Sequence, residues 1–228
     1  MCSRGLSTHC RRRTVLGIHG RDGAFADALV LPIRNLHAVP DNVSDEQAVF
    51  IEPLAAAFQI PRQVQIEKRT RGVVLGDGRL GLLVAQVLHG AGCVLTLVGR
   101  HESKLAVAEK LGIQTALDPE YVPHGQADIV VDCTGRAKGV ERALELVRPR
   151  GTVVLKTTVA AANPLNLAPI VIDEITVLGS RCGPFPDAIH ALATGKIHVL
   201  PLITRRTPIA NAESLFPSPS GLKTLITF

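Results

Sequence analysis

The chain has 228 residues, 46% hydrophobic and 20% charged, with 20 Gly and 15 Pro scattered along it, which excludes a collagenous, coiled-coil or disordered chain. Aromatic residues make up 3%, with no Trp and one Tyr, leaving little on which single-stranded nucleic acid could stack. A formal charge of +5 favours anionic partners, but the one dense basic run, Arg11-Arg12-Arg13, has no second stripe to accompany it, so neither nucleic acid nor a membrane is an expected partner.

In chain order, residues 1–45 read as strands and loops, with one strand over 25–32 ended by proline and another over 35–40. The start lacks the basic-then-apolar order of a secretory signal, so export is not expected. Ser44 and Gln47 have capping-box spacing, which predicts a helix running from there through Phe58. Residues 61–71 read as a connection. From Gly72 onward, strands and helices alternate regularly. Strands are predicted over 73–76, 94–98, 129–133, 152–155 and 175–179, and helices over 80–89, 102–111, 140–147 and 186–194. Unbroken β-branched strands between amphipathic helices indicate a parallel sheet covered on both faces. The oily region 73–98 contains Asp77, Arg79, Gln86 and His89, which excludes a bilayer span. The five cysteines at positions 2, 10, 93, 133 and 182 are odd in number and far apart, which suits a reducing, cytoplasmic setting.

The strand over 73–76 runs directly into Gly76-Asp-Gly78-Arg-Leu-Gly81 and then a helix, the context in which G-x-G-x-x-G signals a dinucleotide site. Gly76 permits the tight turn, Gly78 lets the backbone approach a pyrophosphate, and Gly81 lets helix and strand pack closely. Asp77 between them reads as a tolerated variable position. At the end of the next strand stands Gly99, where an NAD site would present an acid to the ribose, and Arg100, His101 and Lys104 follow. A missing carboxylate and an added guanidinium favour a 2′-phosphate, so NADP(H) is expected over NAD(H).

With these residues in view, the chain resembles the zinc-dependent medium-chain alcohol dehydrogenase superfamily along essentially its whole length. The run Cys2-Ser-Arg-Gly-Leu-Ser-Thr-His-Cys10 is similar to the end of that family's structural-zinc lobe. Residues 23–29 and 39–48 resemble the strand and lead-in to its linking helix, Glu52-Pro-Leu-Ala-Ala-Ala its third catalytic-zinc segment, and residues 222–228 its closing strand.

The resemblance implies an α/β fold: a Rossmann doubly wound parallel sheet plus a partial GroES-like β lobe. It divides the chain into a lobe remnant and linking helix over 1–58, an NAD(P)-binding domain over 59–200 and a return to the catalytic lobe over 201–228. It implies that Gly76, Gly78 and Gly81 cradle pyrophosphate, helped by the amides of Arg79 and Leu80. Gly99, Arg100 and Lys104 would surround the adenosine ribose, with Cys133, Thr134 and Gly135 along the adenine and ribose side. Backbone groups near Ser180 and Cys182 would hold the nicotinamide amide, and Lys223 would reach the pyrophosphate. Glu52 would be a catalytic-zinc ligand, and Cys2 and Cys10 structural-zinc ligands.

Family members begin with further zinc ligands that precede the point where this sequence starts, so neither zinc set is expected to be complete. A catalytic zinc needs three protein ligands and a structural zinc four. The expected activity is NAD(P)-dependent oxidation of an alcohol to a carbonyl, impaired in this short chain. The reading favoured for the short start is a misassigned or truncated beginning, because the only methionine is Met1 and it falls inside the motif. The resemblance also implies a homodimer paired through residues 175–179. The alternative is a noncatalytic NADP(H)-binding or dimerisation module.

Overall fold

Runs of Val, Leu and Ile without polar alternation suit strands buried on both faces, and here they form the centre of a six-stranded sheet. In this computed structural model the strands are β1 (Arg71–Leu75), β2 (Val94–Gly99), β3 (Gln114–Leu117), β4 (Ala127–Asp132), β5 (Val147–Leu155) and β6 (Thr176–Gly179). They lie in the order β3-β2-β1-β4-β5-β6, every neighbouring pair parallel. The order reverses between β1 and β4, and in an open parallel sheet such a switch leaves a crevice at the carboxyl ends of the two strands. The structure describes residues 6–118, 120–122, 125–159, 164–215 and 221–228, in two compact units, Met1–Ala38 and Val39–Phe228.

Helices cover both faces of the sheet. α2 (Ile51–Gln63), α3 (Arg79–Gly90) and α7 (Phe185–Ala193) close one face, where Phe50, Leu54, Ile60, Leu83 and Leu88 pack with Val74 of β1. On the other face Val73 and Leu75 meet α5 (Gly139–Leu146) through Ala143 and Leu146. Successive side chains of β1 thus enter opposite cores, as pleating requires. Phe50, Leu54 and Ile60 are fully buried, each stabilising the fold by about 2 kcal/mol. α3 is apolar nearly all round, and its one buried amide, Gln86, exchanges hydrogen bonds with the backbone of His198: Nε2 donates to the carbonyl at 3.1 Å and Oε1 accepts from the amide at 2.8 Å.

Two local expectations need correction. The capping box at Ser44 forms, with the Gln47 amide donating to Ser44 Oγ and the Ser44 amide donating to Gln47 Oε1, but it caps only α1 (Asp45–Ala48) before the chain restarts as α2. Pro53 is the reason: in a continuous helix its ring would strike the carbonyl of Val49, so it is accommodated in a new first turn. The second correction concerns residues 25–32 and 35–40, which are not strands. They lie in turns and extended loop around a short 3-10 turn at Ile33–Asn35, and Val30 and Ile33 are more than four-fifths exposed. A lone apolar stretch without a hydrogen-bonding neighbour does not hold strand geometry, and in Met1–Ala38 the recorded bridge is Val15 with His19.

The structure adds β3, α6 (Ala168–Ile172) and β7 (Ile203–Pro208), which the sequence reading missed; β7 pairs in parallel with β8 (Lys223–Thr227), the closing strand expected over 222–228, and α4 (Glu102–Glu109) ends two residues before the expected 111. Among the described residues, no helix is long and apolar enough to cross a membrane.

Candidate functional site

The crevice at the switch point is a cleft of 660 Å³. Its floor is the loop leaving β1, and its walls are the ends of β2 and β4. Gly76, Gly78, Gly99, Arg100, Lys104, Cys133 and Thr134 all line it, so seven of the residues picked out in sequence come together. Arg79, Leu80 and Gly81 form the first turn of α3, whose N-cap is Gly78 with no side-chain capping bond and no acid in the first turn. A helix start of that kind leaves backbone N–H groups and the positive end of the helix dipole for an anion.

The three loop glycines differ in what constrains them. Gly76 has φ of 109°, and a Cβ there would lie 2.7 Å from the Cys133 carbonyl oxygen. At Gly81 a Cβ would lie 1.8 Å from the Gly76 carbonyl oxygen, so helix and loop touch backbone to backbone. At Gly78 a Cβ would meet nothing within 4 Å. Packing therefore explains Gly76 and Gly81. The empty space over Gly78 is room that the fold itself leaves unfilled, which fits a pyrophosphate lying against the backbone.

The rim beyond β2 is organised by Asp77, which the sequence reading passed over as variable. Its carboxylate is buried, 7% exposed. Oδ2 accepts from the Arg100 amide at 2.7 Å and the His101 amide at 2.7 Å, and lies 2.9 Å from His101 Nδ1. Burial pushes the Asp77 carboxyl up, but the His101 ring and the two amides outweigh it and hold the group below its ordinary range. Arg100 is exposed and Lys104 half-buried. Among the described residues neither makes an ion pair, whereas Arg142 on the far wall is engaged by Asp118 and Glu145. The wall on the β4 side is set by Asp132, 2% exposed, whose Oδ1 accepts from the Thr134 amide at 2.9 Å and its hydroxyl at 2.7 Å. Gly135 follows in the same turn, its amide donating to Thr157 Oγ1 at 3.0 Å.

Ser180, Cys182, Glu52 and Lys223 do not line this cleft. Ser180 and Cys182 follow β6, and the residue that ties their loop down is one that the sequence reading missed, Lys156. Its ammonium donates to the Ala56 carbonyl at 2.7 Å, the Arg181 carbonyl at 2.9 Å and Ser180 Oγ at 3.2 Å. Burial lowers its pKa, against the opposing pull of Cys133, Cys182 and Glu52. Lys223 lies with its ammonium 5.7 Å from the centre of the Phe50 ring. Burial and then Arg79 lower its pKa, and Glu52 opposes them. Burial, with Asp132 adding to it, pushes the Cys133 thiol up to about 12, and burial followed by Asp128 pushes Cys93 up to about 11. In both, burial disfavours the thiolate that would act as a nucleophile.

A zinc ion finds no such set of partners. Among the described residues no three His, Cys, Asp or Glu side chains converge as metal ligands. Glu52 is exposed in the first turn of α2 and the charged groups that sense it are the ammoniums of Lys156 and Lys223. Cys10 is half-buried and in no disulfide among the described residues, and Cys2 lies outside the described residues. The described residues do not fit a zinc site.

Residues 80–194 match the family model for zinc-binding dehydrogenases. A sorbitol dehydrogenase of Halalkalibacterium halodurans is 29% identical, the alignment covering 99% of this chain and 71% of that protein. Among solved structures, a zinc-binding dehydrogenase of Sinorhizobium meliloti 1021 bound to NADP superposes with a TM-score of 0.90 at 28% identity, covering all of this chain and 72% of that one. A short chain alcohol dehydrogenase of Escherichia coli CFT073 complexed with NADH gives a TM-score of 0.87 at 26% identity, covering 100% and 72%.

Proposed function

This chain belongs to the zinc-binding dehydrogenase family, and from that premise we propose that it is an NAD(P)-dependent oxidoreductase that interconverts a small alcohol or polyol and its carbonyl compound. The observation that carries the reading is the open space over Gly78 at the uncapped start of α3, in a cleft at the sheet's switch point. A bound NAD(P)+ would supply the hydride acceptor for the alcohol carbon.

The chain's own residues bind and orient. The amides of Arg79, Leu80 and Gly81 face the pyrophosphate, with Lys223 and Arg79 as cations beside it. Gly99, Arg100 and Lys104 hold the adenosine ribose, and Cys133, Thr134 and Gly135 flank the adenine side. The backbone near Ser180 and Cys182, fixed by Lys156, receives the nicotinamide amide. Arg100 and Lys104, without carboxylate partners among the described residues, favour the 2′-phosphate of NADP(H). In this reading residues 59–200 are the coenzyme domain, with 1–58 and 201–228 belonging to the substrate lobe. No zinc step is assigned, because the described residues supply no ligand set. The family's dehydrogenase relatives do not favour a noncatalytic module.

The setting proposed is cytoplasmic, where the four described cysteines, none of them in a disulfide, stay reduced. The assembly proposed is a homodimer. β6 ends the sheet with Thr176 and Val177 exposed, and an open edge of this kind needs a cover.

The test is coenzyme binding by reduced-nicotinamide fluorescence, followed by coenzyme reduction with a panel of polyols including sorbitol. Binding with reduction by at least one polyol supports the reading. Binding without any turnover returns the noncatalytic module, and absence of binding removes both.

A further inference from the structure

A cleft that selects NADP(H) must hold a cation where the 2′-phosphate lies, and the usual strand-end position of this fold, Gly99, carries no side chain. The structure shows why. A Cβ at Gly99 would lie 2.5 Å from Asp77 Cβ, 2.7 Å from Oδ2 and 2.8 Å from Cγ, so the place where a strand-end acid would begin is filled by an acid reaching in from the glycine loop. That acid is not presented to the ribose as a bare charge. Its Oδ2 carries the Arg100 amide, the His101 amide and the His101 ring.

On this evidence, and resting on the coenzyme reading above, we propose that Asp77 is a positioning residue that sets the preference for a 2′-phosphorylated coenzyme, by clamping the Gly99–His101 turn so that Arg100 faces the cleft. Three consequences of the geometry support it. Two consecutive amides bound to one carboxylate oxygen fix the backbone on both sides of Arg100, so less backbone freedom is lost when its side chain grips a phosphate. Three donors on Oδ2 offset the carboxylate charge next to an incoming anion. Arg100 and Lys104 line that side of the cleft without ion-pair partners among the described residues, whereas the acid beside them, Asp118, is engaged by Arg142.

The opposite assignment would have Asp77 accept a ribose hydroxyl through Oδ1, as a strand-end acid does, and it would favour NAD(H). The two assignments move in opposite directions on mutation. Calorimetry of the full chain with adenosine 2′,5′-bisphosphate and with 5′-AMP separates them without involving the nicotinamide. Wild type is expected to bind the bisphosphate about tenfold more tightly or better, the scale of one or two charge-assisted hydrogen bonds. Asp77→Ala is expected to lose that preference while binding 5′-AMP within about threefold of wild type, and Asp77→Asn, whose amide oxygen still accepts from the backbone, to keep most of it. Gly99→Ala, which pushes the carboxylate off the turn while retaining its charge, is the second variant and is expected to lose the preference too. Equal weakening of both fragments in Asp77→Ala would reduce the residue to a structural role and overturn the proposal, as would a gain in bisphosphate preference. Failure of wild type to bind either fragment overturns the coenzyme reading itself, and the proposal with it.

Discussion

Gly99 and Asp77 occupy one space: the Cβ that any other residue would add at position 99 falls 2.5 Å from the Cβ of Asp77. Only one of the two positions can carry a side chain, and in this chain the loop carries it. Gly99→Ala is therefore expected to cost about 1–3 kcal/mol, the range for an overpacked interior site. Most of that cost should vanish in Asp77→Gly/Gly99→Ala. Chemical denaturation of the four members of the cycle checks this, and additive effects would mean that the two positions are uncoupled.

Gly81 and Gly78 sit in one loop but should answer to different readouts. Gly81→Ala drives a methyl to 1.8 Å from the Gly76 carbonyl oxygen and is expected to destabilise the fold by about 3 kcal/mol or more. Gly78→Ala meets no protein atom within 4 Å, so its melting temperature should stay near wild type while its coenzyme affinity falls. Thermal denaturation with and without NADPH separates the two. A Gly78→Ala protein that binds as well as wild type would mean that no ligand lies over that glycine.

Lys156 joins α2 to the loop after β6 through three hydrogen bonds. Lys156→Met keeps the apolar stem but strands three acceptors, at an expected cost of about 1–3 kcal/mol. Because the loop it fixes holds Ser180 and Cys182, the variant should bind 5′-AMP normally and the whole coenzyme more weakly. Comparable loss for both ligands would show that Lys156 supports the fold in general and not the nicotinamide end.

The pH dependence follows from carboxylates and this lysine. Burial raises the Asp77 and Asp128 pKa values, but hydrogen bonds to each, from the His101 ring and from Arg148 respectively, leave both below 3.8. A carboxyl with a depressed native pKa binds fewer protons folded than unfolded. Its stabilising effect is complete above its unfolded value and is lost as pH falls through the native one. Lys156 has its native pKa lowered from 10.5, so the unfolded chain again binds more protons, and stability rises with pH between the native value and 10.5. Urea titrations across pH should show an acid-side loss that is smaller in Asp77→Asn and an alkaline-side gain that is absent in Lys156→Met.

How much was legible in sequence depends on whether a feature is local. The β1–Gly76–α3 unit could be read directly, because a buried strand, a glycine turn and an apolar helix are each written in consecutive residues. The cleft followed, since Arg100 and Lys104 sit at the end of the next strand. The strands expected over 25–32 and 35–40 failed because an apolar run specifies a strand only with a partner to pair with. The break at Val49–Phe50 was signalled by Pro53 and overlooked beside the stronger capping box. Asp77 was also within reach: an acid inside the glycine loop and a glycine at the strand end are complementary, but only the fold shows that 77 and 99 touch. Lys156 had no signal, because its three partners lie 24 to 100 residues away and nothing in its own neighbourhood marks it as buried.

The most direct test of the central claim, that a pyridine dinucleotide lies over Gly78 at the start of α3, is isothermal titration calorimetry of the purified chain with NADPH alongside Gly78→Ala. The account predicts saturable binding with one coenzyme per chain, sharply weakened in a variant that remains folded. No heat of binding for wild type, or unchanged binding by the folded variant, would contradict it.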